Sequence, residues 1–381
     1  MLHHEKLVQE IRKTTVSYFL DYENELRRLR LLWDCLGYNE TIASFISDRE
    51  WPCLVPRWQG LLSTQVPVSA ALDDYSVIAV DGSQIYPDRH QGMACYLINT
   101  GTAFLHYSNQ SHKKSFAKFD SQPFLMTNVR PEFQGNGGQI TPEFVNCQRT
   151  DYEFKIAVER TLHYRDYNPL FFCDGSLIFW HLDAHKDDVK HQFIKSYCVS
   201  LQALCDQNVL CAGYISLPKS RELINSMRVL SDSEVYRGCI PCEAHRFMGN
   251  NLVDSDMLQL FLKSSHRTIV FENSSPIVKF YPVPLKPHFF YLNNGFEIVR
   301  IEIPAWIAHH AVLVDYVAQC ALNQSIKGHG YPLCLAEAHE QAVVTNADRE
   351  LFYALLERVM VQQNIAYSTS QKSMHKRVLS I

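Results

Sequence analysis

Two apolar runs in this chain end in the same three residues. Val77-Ile78-Ala79-Val80 leads into Asp81-Gly82-Ser83, and Pro169-Leu170-Phe171-Phe172-Cys173 leads into Asp174-Gly175-Ser176. A carboxylate at the end of a buried strand, followed at once by Gly, sits where a sheet stops and a turn opens. Two such ends on neighbouring strands would hold two acids about 5 Å apart. Like charges that close are unfavourable unless a cation lies between them, so the pair reads as a divalent-metal site. The plainer alternative is a repeated turn signal, because Asp-Gly is a favoured turn dipeptide.

Magnesium or manganese takes carboxylate oxygens and keeps several waters, so a third acid from a nearby helix would complete a site. Glu153 and Glu159 lie on the helix expected just before the second run. Each has a bland reading. Thr150-Asp151-Tyr152-Glu153 has the form of a capping box, with Glu153 at its third helical position, and Glu159 fits a solvated helix face. His339, in Leu335-Ala336-Glu337-Ala338-His339-Glu340, could be a ligand, a phosphate contact or a general acid, or a packed surface histidine. Asp254 and Asp256 open another expected helix, where acids favour the N-terminal dipole whatever the function.

Other chemistries find less support. A D-x-S-x-S adhesion site needs a Ser where Ile85 and Ile178 stand, and a D-x-D phosphatase needs an Asp where Ser83 and Ser176 stand. No Gly-rich phosphate loop or G-x-G-x-x-G is present, which disfavours an ATPase or a dinucleotide fold. Cys239-Ile240-Pro241-Cys242 with His245 lacks a second ligand pair at usable spacing for zinc, so these read as loop cysteines. Basic side chains form local clusters: Lys113, Lys114 and Lys118, then Lys186, Lys190 and Lys195 on one helix, then Lys219, Arg221 and Arg228. These are candidates for phosphate-backbone contacts despite a formal net charge of −4.

The elements that must position these groups follow from pattern. At 381 residues with 46% hydrophobic and 12% aromatic content, a real core is assured. No run of about 18 apolar residues exists and the first residues lack a signal-peptide segment, so a cytoplasmic protein without membrane spans is expected. Residues 5–48 read as helical, with Leu26, Leu29, Trp33 and Leu36 on one face. A Pro-punctuated connector then leads to strands at 76–81, 93–99 and 102–107, the last two divided at Gly101. The polar stretch 108–148 reads as a long excursion. Helices are expected at 151–164, 186–207, from 220, and at 254–264, 305–323, 333–345 and 347–363. Strands are expected at 169–174, 209–215, 268–272, 277–282 and twice within 289–303. The sum is an α/β fold: a mixed sheet flanked by helices, with an N-terminal helical extension at 1–60, a main domain at 61–365 and a basic, loose tail at 366–381.

Taken in order, several segments resemble the NurA nuclease family, especially its longer bacterial form. They are Ala79 to His90 around Asp81-Gly82-Ser83, Leu97-Ile98-Asn99-Thr100-Gly101, Arg149-Thr150 to Glu153, and Asp174 to Ile178. Ala212 to Ser220 and Gly330-Tyr331-Pro332 to Glu340 continue the series, so the match runs from about residue 75 to 360. The resemblance implies a ribonuclease H-like core and a manganese-dependent DNA nuclease of end resection, with magnesium as the other candidate ion. It further implies a homodimer working with a hexameric HerA-type ATPase. It matches the family's metal acids to Asp81, Glu153 (better than Glu159) and Asp174, its His to His339, and, less securely, a further acid and Arg to Asp254 and Arg267. The rival reading is a non-catalytic DNA- or ATPase-binding subunit on the same fold. On the catalytic reading, an ion held by Asp81 and Asp174 activates water, one shared with Glu153 stabilises the leaving oxygen, and His339 contacts the phosphate or protonates the leaving group.

Overall fold

A computed structural model describes residues 2–87, 95–110, 114–126, 140–179 and 187–364, with backbone alone at 15–20 and 187–192. Along the chain run α1 (His4–Leu36), α2 (Thr41–Ser47), β1 (Gln65–Pro67), β2 (Asp74–Ile85), β3 (Tyr96–Ser108), β4 (Phe116–Met126) and α3 (Pro142–His163). Then come β5 (Leu170–Asp174), α4 (Asp187–Asp206), β6 (Cys211–Ile215), α5 (Glu222–Asp232), α6 (Asp254–Phe261), β7 (His266–Thr268) and β8 (Phe271–Glu272). The chain ends with β9 (Pro287–Asn293), β10 (Ile298–Pro304), α7 (Ala305–Ala308), α8 (Ala311–Lys327), α9 (Leu333–Ala342) and α10 (Asn346–Gln362). No helix among the described residues is long and apolar enough to cross a membrane.

The chain divides into two compact units. The first comprises Met1–Ala71, Gly175–Ile178 and Gly213–Gly330; the second comprises Leu72–Asp174, Phe179–Ala212 and Tyr331–Ile381.

The second unit is built on β2. This strand pairs antiparallel with β3 over its whole length, from Asp74↔Ser108 to Ile85↔Leu97, and β4 continues the sheet antiparallel to β3. On its other side β2 pairs parallel with β5, from Val77↔Leu170 to Val80↔Cys173. A strand covered on both faces reads as a continuous apolar run, and Val77, Ile78, Ala79 and Val80 are all buried. Helix α3 brings Phe154 edge-on to Phe171 of β5 and to Tyr197 of α4. The result is the expected mixed sheet with helices against it.

Four expectations change here. Residues 96–99 and 102–107 belong to one strand, β3, which passes through Gly101 without a break, while 93 and 94 lie outside the described residues. Strand β4 lies inside the stretch read as an excursion. It is an edge strand with mostly exposed side chains, so it has no apolar alternation to signal it. Helix α3 begins at Pro142, capped by Thr141 Oγ1 accepting from Phe144 N–H, with Pro in the first turn. Thr150 therefore sits in mid-helix and caps nothing at Glu153. Residues 276–280 form a 3-10 helix rather than a strand, in a segment punctuated by Pro276, Pro282 and Pro284. The loop at Gly135 to Gly138, Lys113, Lys186 and the basic tail fall outside the described residues.

In the first unit, an antiparallel sheet runs β1-β7-β9-β10, with the end of β6 (Gly213 to Ile215) beside β10 and β8 beside β9. The second half of α1 does not stand apart from it. Leu29, Leu32, Trp33 and Leu36 share one core with Leu223, Met227, Leu258 and Phe289, and Trp33 stacks on Phe261 at 4.4 Å. Behind this core lies a buried polar network. Arg300 pairs with Glu222 at 2.8 Å and with Glu302 at 2.9 Å.

Asp254 belongs to that network. It heads α6 as expected, yet its carboxylate serves another helix: Oδ1 accepts from the N–H groups of Leu223 and Ile224 in the first turn of α5, both at 3.0 Å. Oδ2 accepts from the Tyr291 hydroxyl at 2.7 Å. Burial, with the charge of Glu222, raises its pKa to about 7 against the hydrogen bonds that oppose it. An acid whose folded pKa is raised adds stability below its unfolded value near 4 and loses that contribution as pH climbs through about 7. Urea unfolding of the unaltered protein should therefore show a fall of about 2–4 kcal/mol between pH 4.5 and 8 from this group. Asp254→Asn, which keeps the acceptor for both amides, should flatten that part of the slope. Asp254→Ala should cost at least about 2 kcal/mol at any pH, because it strands the buried N–H groups of Leu223 and Ile224.

Candidate active site

Asp81 and Asp174 meet as their spacing suggests, but for a different local reason. Strand β2 does not stop at Asp81; it runs on to Ile85, and only its ladder with β5 ends, at Val80↔Cys173. Asp81 and Asp174 are thus the next residues on two adjacent parallel strands, the latter closing β5. The two glycines that follow are not equivalent. Gly175 has φ +111 and open space around it, a turn position as read from the sequence. Gly82 is inside the strand, where a Cβ would lie 2.5 Å from Glu153 Oε1 and 2.6 Å from Arg149 Cγ. Glycine is needed there because helix α3 lays two working side chains directly on the strand.

Glu153 is accordingly buried, and Gly82 N–H donates to its carboxylate. Burial raises its pKa to about 7; Arg149 opposes that rise, while the charges of Asp81 and Asp174 add to it. Asp174 is open to solvent as a residue, but its carboxyl lies partly among protein atoms. That desolvation raises its pKa, with the charge of Asp81 adding, against a hydrogen bond from the Tyr331 hydroxyl. Mutual electrostatic pressure of this kind is what a cation would relieve.

Helix α9 supplies the fourth group. His339 Nδ1 lies 2.7 Å from Asp81 Oδ2, with the His ring largely exposed. Where Nδ1 donates to this carboxylate, Nε2 remains on the other side of the largely exposed ring. Gly101 makes the approach possible: it pairs with Asp81 across the β2–β3 ladder, and a Cβ on it would run into Ala338 O and Ala342 N of α9. Asn99, two residues back, pins the end of that helix by donating to Ala342 O at 2.9 Å.

Two contributors escaped the sequence reading as site residues. Arg149 lies four residues before Glu153, one turn back on the same helix face, with Nε 3.3 Å from Glu153 Oε1. Tyr331 precedes Pro332 at the head of α9 and bonds Asp174. The i, i+4 acid–base spacing was a usable signal for Arg149, whereas Tyr331 had none beyond its place in the Gly330-Tyr331-Pro332 segment.

The remaining candidates go elsewhere. Glu159 is exposed on α3, away from Glu153. Asp254 and Arg267 lie in the first unit, Arg267 buried and paired with Asp315 at 2.6 Å. Arg221 donates to Gly249 O and Lys219 is exposed. Lys190 is on α4, where only backbone is described, and Lys186 is outside the described residues. Cys239 and Cys242 are exposed free thiols, and His245 Nε2 faces Ile240 O at 2.9 Å.

Among the described residues, no three His, Cys, Asp or Glu side chains converge tightly enough to hold a metal ion as they stand. Each acid has instead taken a protein partner: Glu153 has Arg149, Asp81 has His339 and Asp174 has Tyr331. The donor set itself fits a hard divalent cation, being three carboxylates, two of which, Glu153 and Asp174, have their charge disfavoured by burial and by neighbouring acids. Loading would require those partners to give way.

A family model for the NurA domain matches residues 75–344, well over half of the chain. No curated protein matches the sequence. Among solved structures, the NurA nuclease from Sulfolobus solfataricus aligns over 95% of this chain and 98% of that one, with TM-score 0.52 at 13% identity, a likeness of fold. An endonuclease V from Ciona intestinalis with bound DNA reaches only TM-score 0.28 at 10% identity, over 83% of this chain and 100% of that one, and carries no weight.

Gly101→Ala should push α9 off β3 and separate His339 from Asp81. Overpacking of this sort costs about 1–3 kcal/mol, measurable by urea unfolding. Gly175→Ala, which meets no neighbour, should cost about 1–2 kcal/mol through its backbone alone.

Proposed function

The chain belongs to the NurA family, and from that premise we propose that it is a divalent-cation-dependent DNA nuclease that hydrolyses phosphodiester bonds at DNA ends. The observation that carries this reading is the gathering of Asp81, Glu153, Asp174 and His339, with two of the acids driven above their ordinary pKa. Asp81 and Asp174 would hold one cation and Glu153 would share a second, manganese being the family's ion and magnesium the alternative. When bound, such ions lower the pKa of a water and neutralise charge on the phosphate.

The chain's own residues do the rest. Tyr331 fixes one oxygen of Asp174 and so orients the other. His339, held by Asp81 through Nδ1, presents Nε2 to solvent, where it can contact a phosphate oxygen or pass a proton to a leaving alkoxide. Glu153 is fixed over Gly82 by a backbone amide, at a depth where water is scarce.

We extend the proposal to assembly, on family membership alone: a homodimer in the cytoplasm, working on DNA with a hexameric HerA-type ATPase. Light scattering with size-exclusion chromatography, and co-purification with such an ATPase, test these two contacts.

Purified protein should degrade end-labelled DNA in manganese and lose that activity on chelation. Asp81→Asn should lower the rate by at least about a hundredfold with an unchanged unfolding midpoint, and His339→Ala by about 10–100-fold. DNA binding without cleavage by the unaltered protein, in either metal, would instead identify a non-catalytic subunit.

A further inference from the structure

Arg149 is the one cation in contact with the acid cluster, among the described residues, that belongs to the chain as a permanent charge. Its guanidinium is only loosely bonded where it lies. The stem lies over Gly82, close enough that a Cβ there would meet Cγ at 2.6 Å. Its Nε–H, although buried, forms no hydrogen bond: Glu153 Oε1 is 3.3 Å away but off its axis. Nη1 reaches Gly82 O at 3.3 Å and Gln84 Oε1 at 3.4 Å, both long. A guanidinium built to lock a carboxylate forms a short two-pronged fork, about 2.7–2.9 Å on each prong. This one is near enough to neutralise Glu153 and too loosely bonded to fix it. With about a third of its side chain exposed, 34%, it also has solvent to move into.

We propose that Arg149 is a resident counter-ion that occupies the electrostatic place of a divalent cation and competes with it for Glu153. The inference rests on the metal reading of the site. Glu153 Oε1 lies 3.3 Å from Arg149 Nε, and no three acids among the described residues converge on a cation position. Admitting an ion requires Glu153 to leave the guanidinium, so the cost of that separation is subtracted from the ion's affinity. Arg149 is thus a positioning residue. It keeps the repelling acids together while the site holds no ion, and it sets how much free cation is needed to load it.

A stabilising role alone predicts the opposite sign. If Arg149 only held Glu153 in place for the ion, its removal would weaken ion binding; if it competes, removal strengthens binding. Calorimetric titration with manganese chloride alone, without DNA and at the same pH for every form, separates the two. Arg149→Gln should bind manganese at least about fivefold more tightly than the unaltered protein, while Arg149→Lys, which keeps the charge, should stay within about twofold. Equal or weaker binding by Arg149→Gln overturns the inference while leaving the site's metal reading intact. No manganese binding by the unaltered protein overturns both. Should Arg149→Gln fail to fold, the unaltered protein supplies the test through the Nε–Hε resonance of Arg149, identified by its absence in Arg149→Lys. That resonance should shift as magnesium chloride saturates the site; a resonance unmoved at saturation overturns the inference.

Discussion

Repulsion among three carboxylates is the constraint around which the second unit is arranged. Asp81 and Asp174 extend from adjacent parallel strands, Glu153 is pressed onto the first of them from a helix, and burial strips water from Glu153 and in part from Asp174. Every unusual local choice nearby serves that crowding. Gly82 admits the Glu153 carboxylate, Gly101 admits the helix bearing His339, and Asn99 ties that helix down. His339 and Tyr331 each bond one acid, and Arg149 sets a positive charge beside the third. A fold seeking only stability would put apolar groups here; acids kept together against their charge point to a ligand that wants them.

The first unit handles buried charge differently. Its Arg300, Glu222 and Glu302 are fully enclosed and paired at 2.8–2.9 Å, and Asp254 closes the network by capping α5 and binding Tyr291. There the charges pair with one another, with only Arg300 Nη2 left unbonded, and none of these acids faces solvent. The contrast separates a structural polar network from a site: enclosed charges paired with one another in the first unit, and in the second a cluster whose Asp174 and His339 reach solvent.

Much of the site was legible in the sequence because strand ends are marked by composition. The echo of Asp-Gly-Ser after two apolar runs singled out Asp81 and Asp174, the expected helices offered Glu153, Glu159 and His339 as candidates, and the family resemblance preferred Glu153 to Glu159. What the chain does around them was harder to read. Glu153 looked like the closing member of a capping box because Thr150 stands at the right spacing, while the true start of α3, Thr141-Pro142, sits in a polar stretch that resembles loop. Gly101 looked like a strand break because a glycine's tolerance of turns is local information, whereas its use here, close passage of a helix, is tertiary. Strand β4 was invisible for a related reason: an edge strand with exposed side chains carries no alternation. Asp254 was placed correctly at the head of a helix, yet the helix it caps is α5 rather than its own. In each case the local pattern was present and a contact distant in sequence decided its meaning.

The central claim is that this acidic cluster is a divalent-cation site, and direct localisation of the ion tests it best. Crystals grown with manganese, measured at the manganese absorption edge, should show an anomalous peak within bonding distance of carboxylate oxygens from both Asp81 and Asp174. A manganese-saturated crystal with no peak between those two side chains, or with its peaks only at other acids, would contradict the account.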